Sequence, residues 1–198
     1  DQLAIDFPIK TIKALIVTHC HIDHVGRIPY LMAAGFEGPI YCSEPSAVLL
    51  PLVLEDAVKI GLSKDRYIIK KFLKLLNSRI IAVPYGKWQN IALSDTSQIT
   101  LNIKFKPAGH ILGSAYIETK IKQQEKEQRI TFSGDLGGPY TPLLPNPKPP
   151  YKTDVLVLES TYGDKNHINR KQRKQQLKKS IIQCLQNKGV ILIPAFSI

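Results

Sequence analysis

Three histidines and one aspartate fall within six residues of this sequence, in the segment His19-Cys20-His21-Ile22-Asp23-His24. Imidazole nitrogens and carboxylate oxygens are ligands that suit zinc and similar divalent ions. If the segment begins extended, His19 and His21 point the same way and can share one ion. If it then turns into a helix, Asp23 and His24 swing toward a second position. Two ions about 3.5–4 Å apart can hold the attacking and leaving oxygens of a phosphoryl transfer.

One short loop cannot fill the coordination of two ions, so further ligands must come from elsewhere in the chain. His110 lies in Gly109-His110-Ile111-Leu112-Gly113, and Asp135 lies in Ser133-Gly134-Asp135-Leu136-Gly137. Both follow strand-like segments and are flanked by glycine, which is typical of backbone that passes close to another group. Taken alone, either residue could serve only a hydrogen bond or a turn. Beside the histidine-rich loop, both are expected to be metal ligands.

The elements that position these residues mix two kinds of strand with helices. Ala14–Val17 is a continuous apolar run and predicts a strand buried on both faces. Ile99–Phe105 alternates apolar and polar residues, which predicts a half-buried antiparallel strand, and Arg129–Phe132 predicts another. Ser46–Ile60 and Lys64–Leu76 have helical spacing. We expect Ser63 to cap the second of these helices.

The C-terminal third of the chain predicts a rigid connection followed by further elements. Six prolines lie between residues 139 and 150 and indicate a segment with no regular structure. Val155–Leu158 predicts a buried strand, and Val190–Ile193 predicts a last one. Asn169–Asn187 predicts an amphipathic helix, and its inward residues are expected to be Leu177, Ile181, Ile182 and Leu185. Strands and helices in this mixture favour an α/β fold in which sheets pack between helices.

Composition limits the class of protein and its surroundings. The 198 residues carry 27 Lys+Arg and 16 Asp+Glu, a net charge of +11, and are 43% hydrophobic. No apolar stretch approaches the ~18–20 residues of a membrane span. Three scattered cysteines do not make a disulfide framework, which predicts a cytoplasmic location. Because residue 1 is Asp and the only methionine is Met32, we expect the chain to be part of a longer protein.

The order His-x-His-x-Asp-His, then Gly-His, then Ser-Gly-Asp resembles the metallo-β-lactamase superfamily. Leu158–Gly163, with the letters Leu-Glu-Ser-Thr-Tyr-Gly, is similar to the acidic motif of the β-CASP nucleases. That branch includes RNase J and the endonuclease of the messenger-RNA cleavage and polyadenylation machinery. The resemblance covers residues 11–198. It implies an αββα sandwich of two mixed β-sheets between helices, here incomplete and lacking the β-CASP cap.

The resemblance also implies roles for particular residues and a pair of zinc ions. The first zinc would be held by His19, His21 and His110. The second would be held by Asp23 and His24, and Asp135 would bridge the two. A metal-bridging hydroxide would then hydrolyse a phosphodiester bond of RNA and leave a 5′-phosphate. Catalytic roles fall on Asp23 and on Glu159, which in the family orients a histidine that protonates the leaving oxygen; the alternative for Glu159 is a carboxylate that caps a turn.

Residues 1–198 lack several parts of the family pattern. The cap and two later histidines, one a metal ligand and one the general acid, are expected beyond residue 198. His167, the remaining histidine, is too close to Glu159 to replace either and is expected in a solvated loop. Residues 1–198 are therefore predicted to be the N-terminal part of a metallo-β-lactamase domain, inactive or weakly active alone.

Residues 164–179 contain seven basic side chains and one acid. This charge predicts a surface that binds RNA phosphates. The alternative is a solvated face of a helix. The candidates for RNA contact are Tyr162, Lys165, Arg170, Lys171, Arg173 and Lys174. Trp88 is expected to be a packing residue in a turn at Lys87–Asn90. We also expect no membrane contact, and a homodimer is possible.

Two other functions compete with an RNA-processing nuclease. One is a small-molecule hydrolase of the same superfamily, such as a lactamase, thioesterase or lactonase. The Glu-Ser-Thr-Tyr-Gly segment and the positive charge disfavour it. The other is an inactive RNA-binding scaffold, which the complete set of ligands available in this stretch disfavours.

Overall fold

The computed structural model describes residues 5–93, 98–139, 141–166 and 172–194. The chain divides into two compact units, Asp1–Glu159 and Ser160–Ile198. The metal-ligand candidates all lie in the first unit. Among the described residues, no helix combines the length and the apolar character that crossing a membrane requires.

The first unit begins with a three-stranded parallel sheet and the helices that connect its strands. The strands are β1 (Leu15–Ile16), β2 (Ile40–Ser43) and β3 (Ile80–Val83), in that spatial order. The helices are α1 (Ile22–Val25), α2 (Ile28–Ala33), α3 (Glu44–Gly61) and α4 (Arg66–Arg79). Parallel neighbours need long crossover connections, and α3 with α4 forms the one between β2 and β3.

A five-stranded mixed sheet follows. Its strands, in spatial order, are β4 (Trp88–Ile91), β5 (Ile99–Pro107), β6 (Ala115–Gln123), β7 (Lys126–Phe132) and β8 (Val155–Val157). β4 to β7 are antiparallel neighbours, whereas β8 pairs in parallel with β7. The alternating pattern from Ile99 onward is confirmed, because Ile103 and Phe105 are fully buried while Lys104 and Lys106 point to the other face.

Two apolar cores hold these layers together. The first lies between the parallel sheet and its helices and contains Phe36, Ile40, Leu50, Leu54 and Leu76. The second lies between the two sheets, where Tyr41 and Val83 of the parallel sheet meet residues of β4, β5 and β6. The arrangement is therefore helices, sheet, sheet. It confirms the α/β class with two sheets, although the smaller sheet is parallel in the described residues and not mixed.

The two long helices begin at capping residues. The Ser43 hydroxyl accepts a hydrogen bond from the Ser46 backbone N–H at the start of α3. Asp65, not Ser63, caps α4, because its carboxylate accepts from the Tyr67 N–H. Ser63 instead accepts a hydrogen bond from the N–H of Asp65. A carboxylate and a hydroxyl two residues apart offer the same kind of cap, so spacing alone did not distinguish them.

Sequence patterns missed or misjudged several strands. β3 and β4 were not expected, because each has only four residues and β3 follows directly on α4. Trp88 consequently lies in a strand and not in a turn. β8 was expected to be buried, yet Val155, Leu156 and Val157 are 43–50% exposed. β8 pairs only with β7 among the described strands, so it is an edge strand in this chain.

The second unit contains the helix α5 (Arg173–Gln186). The predicted helix over Asn169–Asn187 is confirmed for this range, and residues 167–171 lie outside the described part. Its apolar residues were expected to point inward, but Leu177, Ile181, Ile182 and Leu185 are 38–71% exposed. Residues 190–193 form no strand, because no described strand pairs with them.

The burial of Leu54 gives a test of the first core. Leu54→Ala is expected to lower the free energy of unfolding by about 2–5 kcal/mol, because it removes a fully buried side chain and leaves a cavity. Leu52→Ala on the same helix is the matched control, since Leu52 is 55% exposed and its loss is expected to change stability by about 0.5 kcal/mol or less. Urea unfolding followed by circular dichroism measures both, and equal losses would contradict the layer assignment.

Candidate metal centre

The histidine-rich loop follows β1 and changes from extended to helical backbone. Val17 still belongs to the sheet edge, since its N–H donates to the carbonyl of Tyr41 at 2.8 Å. His21 is extended, with φ −63° and ψ 144°, and α1 begins at the next residue. His19 and His21 therefore precede the helix, while Asp23 and His24 lie on its first turn. This is the predicted change of direction, and it divides the four side chains into two pairs.

Cys20 points away from this cluster. It is 2% exposed, and its Sγ lies 3.6 Å from the carbonyl oxygen of Ser46. Burial raises the pKa of the Cys20 thiol, so the thiolate form that binds metal is disfavoured. The expectation that Cys20 faces the core is confirmed.

His110 lies in the connection between β5 and β6, and hydroxyl groups fix that connection. The Ser114 hydroxyl accepts hydrogen bonds from the N–H groups of His110 and Ile111, at 3.0 and 3.2 Å. The Gly113 carbonyl accepts from the hydroxyls of Ser43 and Ser46, at 2.6 and 2.9 Å. The beginning of α3 therefore holds the loop that carries His110.

Asp135 lies after β7, in a loop that passes close to both other ligand loops. Gly134 has φ +52°, and a Cβ there would come within 2.8 Å of the Thr18 side chain, one residue before His19. A Cβ on Gly137 would overlap the carbonyl of Gly109, one residue before His110. The Gly137 N–H also donates to the Ala108 carbonyl at 2.8 Å. Glycine is therefore required for the three loops to meet.

The meeting point brings together one nitrogen each from three imidazoles and one carboxylate oxygen. These atoms of His19, His21, His110 and Asp135 all lie within 4.8 Å of one another. His110 Nε2 is 3.0 Å from His21 Nδ1 and 3.5 Å from Asp135 Oδ2. Ligands at 2.0–2.2 Å from a tetrahedral zinc lie about 3.3–3.6 Å apart. The two distances from His110 Nε2 lie near this range, and atoms as far apart as 4.8 Å would have to move closer to share one ion.

The second oxygen of Asp135 faces the other pair of residues. Asp135 Oδ1 is 3.3 Å from His24 Nε2, which in turn is 3.5 Å from Asp23 Oδ2. Asp135 Oδ2 faces His110 and, at 3.8 Å, His19. All six predicted ligands are therefore adjacent, and the Asp135 carboxylate stands between two groups of side chains.

Burial keeps part of this cluster neutral. Desolvation, and then the neighbouring imidazoles of His24 and His110, lower the pKa of His19 to about 3. Desolvation and His21 also lower the pKa of His110, against the opposite effect of nearby carboxylates. A neutral imidazole is the form that binds metal. His19 Nε2 is buried and has no hydrogen-bond partner in the described residues, which a metal ion would supply. The donor set, together with the lowered pKa values of His19 and His110, favours binding of a divalent cation.

Glu159 lies beside the cluster and contacts the Asp135 loop. Its Oε1 accepts a hydrogen bond from the Leu136 N–H at 2.7 Å, and its own N–H donates to the Ser133 hydroxyl at 2.9 Å. The carboxylate therefore does fix the turn next to Asp135, which is the alternative role of this residue. A further catalytic role stays a prediction.

The expected RNA-contact residues belong to the second unit. Tyr162, Lys165, Arg173 and Lys174 are exposed there, whereas Arg170, Lys171 and His167 lie outside the described residues. These basic residues and the metal-ligand candidates are in different units. Contact of the basic residues with RNA stays a prediction.

Sequence reasoning missed the residues that hold the ligands in place. Ser43, Ser46 and Ser114 are 0–2% exposed and hydrogen-bond to the loop of His110. Ser133, 4% exposed, lies in the segment of Asp135 and accepts a hydrogen bond from the Glu159 N–H. The Tyr85 hydroxyl donates to the Ser114 carbonyl at 3.0 Å. Serine is common at helix starts and in turns, so these residues carry no sequence signal except their nearness to the Gly-His and Ser-Gly-Asp segments.

Comparison with known proteins agrees with the geometry. Residues 1–186 match the family model of the metallo-β-lactamase superfamily, and the chain belongs to that superfamily. The resemblance seen in the metal loop is thereby confirmed. The superfamily name describes a metal-dependent class, and the side chains needed to bind a metal are assembled here.

The curated relatives include proteins named as ribonucleases and as a transcription termination factor. The chain is 30% identical to Ribonuclease TTHA0252 of Thermus thermophilus over 97% of this chain and 42% of that protein. It is 31% identical to Transcription termination factor FttA of Methanothermobacter thermautotrophicus, over 98% of this chain and 30% of that protein. It is also 31% identical to Endoribonuclease ysh-1 of Neurospora crassa, over 98% and 22%. The chain thus spans less than half the length of these relatives.

The solved structures to which this chain is similar include a B3 metallo-β-lactamase with an active-site glutamic acid. It is 19% identical, covers 65% of this chain and 43% of its own, and has a TM-score of 0.39.

The Gly113 carbonyl offers a test of how the His110 loop is held. In Ser43→Ala/Ser46→Ala, this buried acceptor loses both hydroxyl donors, and we expect the free energy of unfolding to fall by about 2–4 kcal/mol. Metal affinity is expected to fall as well, because the His110 loop then keeps the bonds to Ser114 but loses those that join it to α3. Ser78→Ala is the control, since its exposed hydroxyl only bonds the Leu75 carbonyl. Urea unfolding and zinc titration measure the two effects, and an unchanged zinc affinity would contradict the positioning role.

Proposed function

We propose that this protein is a zinc-dependent RNA-processing nuclease of the β-CASP type, and that residues 1–198 form the N-terminal, metal-binding part of its metallo-β-lactamase domain. The observation that carries the proposal is the Asp135 carboxylate, whose two oxygens face two separate groups of ligands. A bridging carboxylate between two cation positions suits phosphodiester hydrolysis. The relatives named as ribonucleases and as a termination factor support RNA as the substrate.

Each residue then has a role in holding or supporting two zinc ions. His19, His21 and His110 would hold one ion and Asp23 with His24 the other, with Asp135 between them. Bound zinc supplies a water nucleophile of lowered pKa and stabilises charge on the phosphate oxygens. The hydroxyl of Ser114 fixes the backbone of His110, and the carboxylate of Glu159 fixes the backbone beside Asp135. The chain thus preorganises the ligands before any metal binds.

The rest of the proposal concerns the intact protein. The β-CASP cap, the general-acid histidine and the last metal ligand are proposed to lie beyond residue 198. The net charge of +11 favours a polyanionic substrate. A cytoplasmic location and a homodimer stay predictions.

Metal binding can be measured on residues 1–198 alone. We expect zinc to raise the melting temperature, because an ion that binds only the folded state stabilises it by about 2.7 kcal/mol at 100 times its Kd. Asp135→Asn is expected to lower zinc content and to abolish most of the shift, since it weakens both positions. Asp56→Asn is the control, because that carboxylate is 77% exposed on α3. Elemental analysis and thermal unfolding report the result. Equal zinc content in Asp135→Asn and the unaltered chain would contradict the site.

Nuclease activity tests the function itself. We expect the full-length protein to cleave labelled RNA in the presence of zinc, to leave a 5′-phosphate, and to lose at least about 100-fold in kcat/KM on Asp135→Asn. Residues 1–198 alone are expected to be inactive or weakly active. Turnover of a lactam or thioester by the full-length protein, without RNA cleavage, would overturn the proposal in favour of a small-molecule hydrolase.

Substitution of Glu159 in the same assay distinguishes a catalytic role of its carboxylate from a purely structural one. In Glu159→Gln the side-chain oxygen still accepts from the Leu136 N–H, so zinc content is expected to be unchanged. A fall of about 10–100-fold in kcat with unchanged zinc would support an orienting role in proton transfer. Unchanged kcat would reduce Glu159 to a cap of the Asp135 loop.

A further inference from the structure

The face of the five-stranded sheet that points away from the parallel sheet is here called the outer face. The register places Trp88 of β4 opposite Lys104 of β5, and Lys104 opposite Glu118 of β6. Opposite residues share a face, so all three point outward. In the described strands β4 to β7, this face has five cationic side chains and two carboxylates. The cations are Lys104, Lys106, Lys120, Lys122 and Arg129, and the carboxylates are Glu118 and Glu127.

Trp88 is a partly exposed aromatic residue on this face. It is the only tryptophan of the chain, and 38% of its surface is exposed. Lys104 Nζ lies 4.4 Å from the centre of its ring, and Lys120 Nζ lies 4.8 Å from it. Two ammonium groups therefore hold the indole against the sheet. Trp88 is not among the residues of the two apolar cores, and its ring lies instead over the lysine side chains of the outer face.

The surrounding charges fix the position of the ring. Glu118 is 8% exposed as a residue, and its carboxylate lies 2.5 Å from Lys104 Nζ. This pair holds Lys104 under the indole, and Lys120 lies on the next strand. Lys106 and Lys122 extend the positive charge along the same strands. An exposed aromatic ring bordered by cations is what single-stranded nucleic acid binds, with a base on the ring and phosphates on the lysines.

The outer face also leads toward the metal-ligand cluster. Lys104 is three residues before the end of β5 at Pro107, about 10 Å at 3.3 Å per residue. The loop that carries His110 follows immediately. A strand of RNA that contacts Trp88 therefore lies within a few nucleotides of the end of the sheet at which the ligands meet.

We propose that Trp88, with Lys120 and Lys122, forms a binding platform for single-stranded RNA, on which one base stacks against the indole. The choice of RNA as the ligand rests on the proposed function. Stacking of a base on the indole is a contact that the basic residues of the second unit do not provide. An acidic peptide would use the same lysines but gain nothing from the indole. The exposed ring therefore favours a ligand with bases.

The test uses the fact that Trp88 is the only fluorophore of its kind. Binding of a short oligouridylate or oligoadenylate to residues 1–198, in EDTA, is expected to quench and shift the tryptophan emission. EDTA removes metal, so the result does not depend on catalysis. Polyglutamate of the same charge is expected to cause little quenching. Equal quenching by polyglutamate, or none by RNA, would overturn the proposal.

Variants read by the anisotropy of labelled RNA separate stacking from charge. Trp88→Ala is expected to raise Kd about 5- to 100-fold, and Trp88→Phe is expected to restore most of the affinity because it keeps an aromatic face. Lys106→Gln/Lys122→Gln, which keeps both lysines at the indole, is expected to reduce the slope of log Kd against log salt by about 1.4. Lys70→Gln/Lys74→Gln on α4, on the opposite side of the sandwich, removes equal charge and is expected to leave the slope nearly unchanged.

The outcomes distinguish this proposal from the proposed function. RNA binding at Trp88 without RNA cleavage by the full-length protein would support the platform and contradict the nuclease. Cleavage with unchanged affinity in Trp88→Ala would support the nuclease and overturn the platform. Equal loss in Trp88→Ala and Trp88→Phe, with native circular dichroism, would also overturn the stacking argument.

Discussion

The hydrogen bonds from the hydroxyls of Ser43 and Ser46 to the Gly113 carbonyl connect the two halves of the first unit at the point where the ligands meet. Ser43 ends β2 and caps α3, so it belongs to the parallel sheet and its helices. Gly113 precedes β6 of the other sheet. Because the carbonyl is buried and has no access to water, these donors fix the distance between the sheets at this edge.

The rest of the site follows from that fixed distance. β1, β5 and β7 end at the same edge, and the three ligand loops leave them there. The loops pass so close to one another that Gly134, against the Thr18 side chain, and Gly137, against the Gly109 backbone, have no room for a side chain. Six polar side chains would be more stable apart and hydrated than crowded together without a metal ion. Close packing of the apolar layers below them therefore provides the stability that keeps them together.

The cluster of candidate metal ligands could be predicted from the sequence because its chemistry is concentrated in a few letters. Three imidazoles within six residues place several nitrogen ligands in a single loop, and glycine beside His110 and Asp135 marked the loops that approach them. Burial in the last third of the chain could not be predicted in the same way. Leu156 and Leu177 are apolar enough for a core, but whether they are covered depends on which strands and helices lie against them.

The position of Trp88 could not be predicted from the sequence. β4 has four residues and no clear alternation, so its strand and its register with β5 depend on pairing with a longer neighbour. Only that register places Lys104 and Lys120 on the indole. The conformation of a short strand depends on its tertiary contacts. Local sequence patterns therefore do not predict which of its side chains lie on which face of the sheet. The buried serines were hidden for the same reason, since their partners are as far as 70 residues away.

The ligand set also has a consequence for how the chain folds. His19 and Asp135 are separated by more than 100 residues, and β1 and β7 belong to different sheets. A metal ion bound to both acts as a cross-link that closes this long loop in the folded chain, and it stabilises the folded state because the unfolded chain does not hold the two ligands together. The cross-link forms only after both sheets are in place, so metal capture reports on completed folding. The free energy of unfolding is then expected to rise with the logarithm of the free metal concentration.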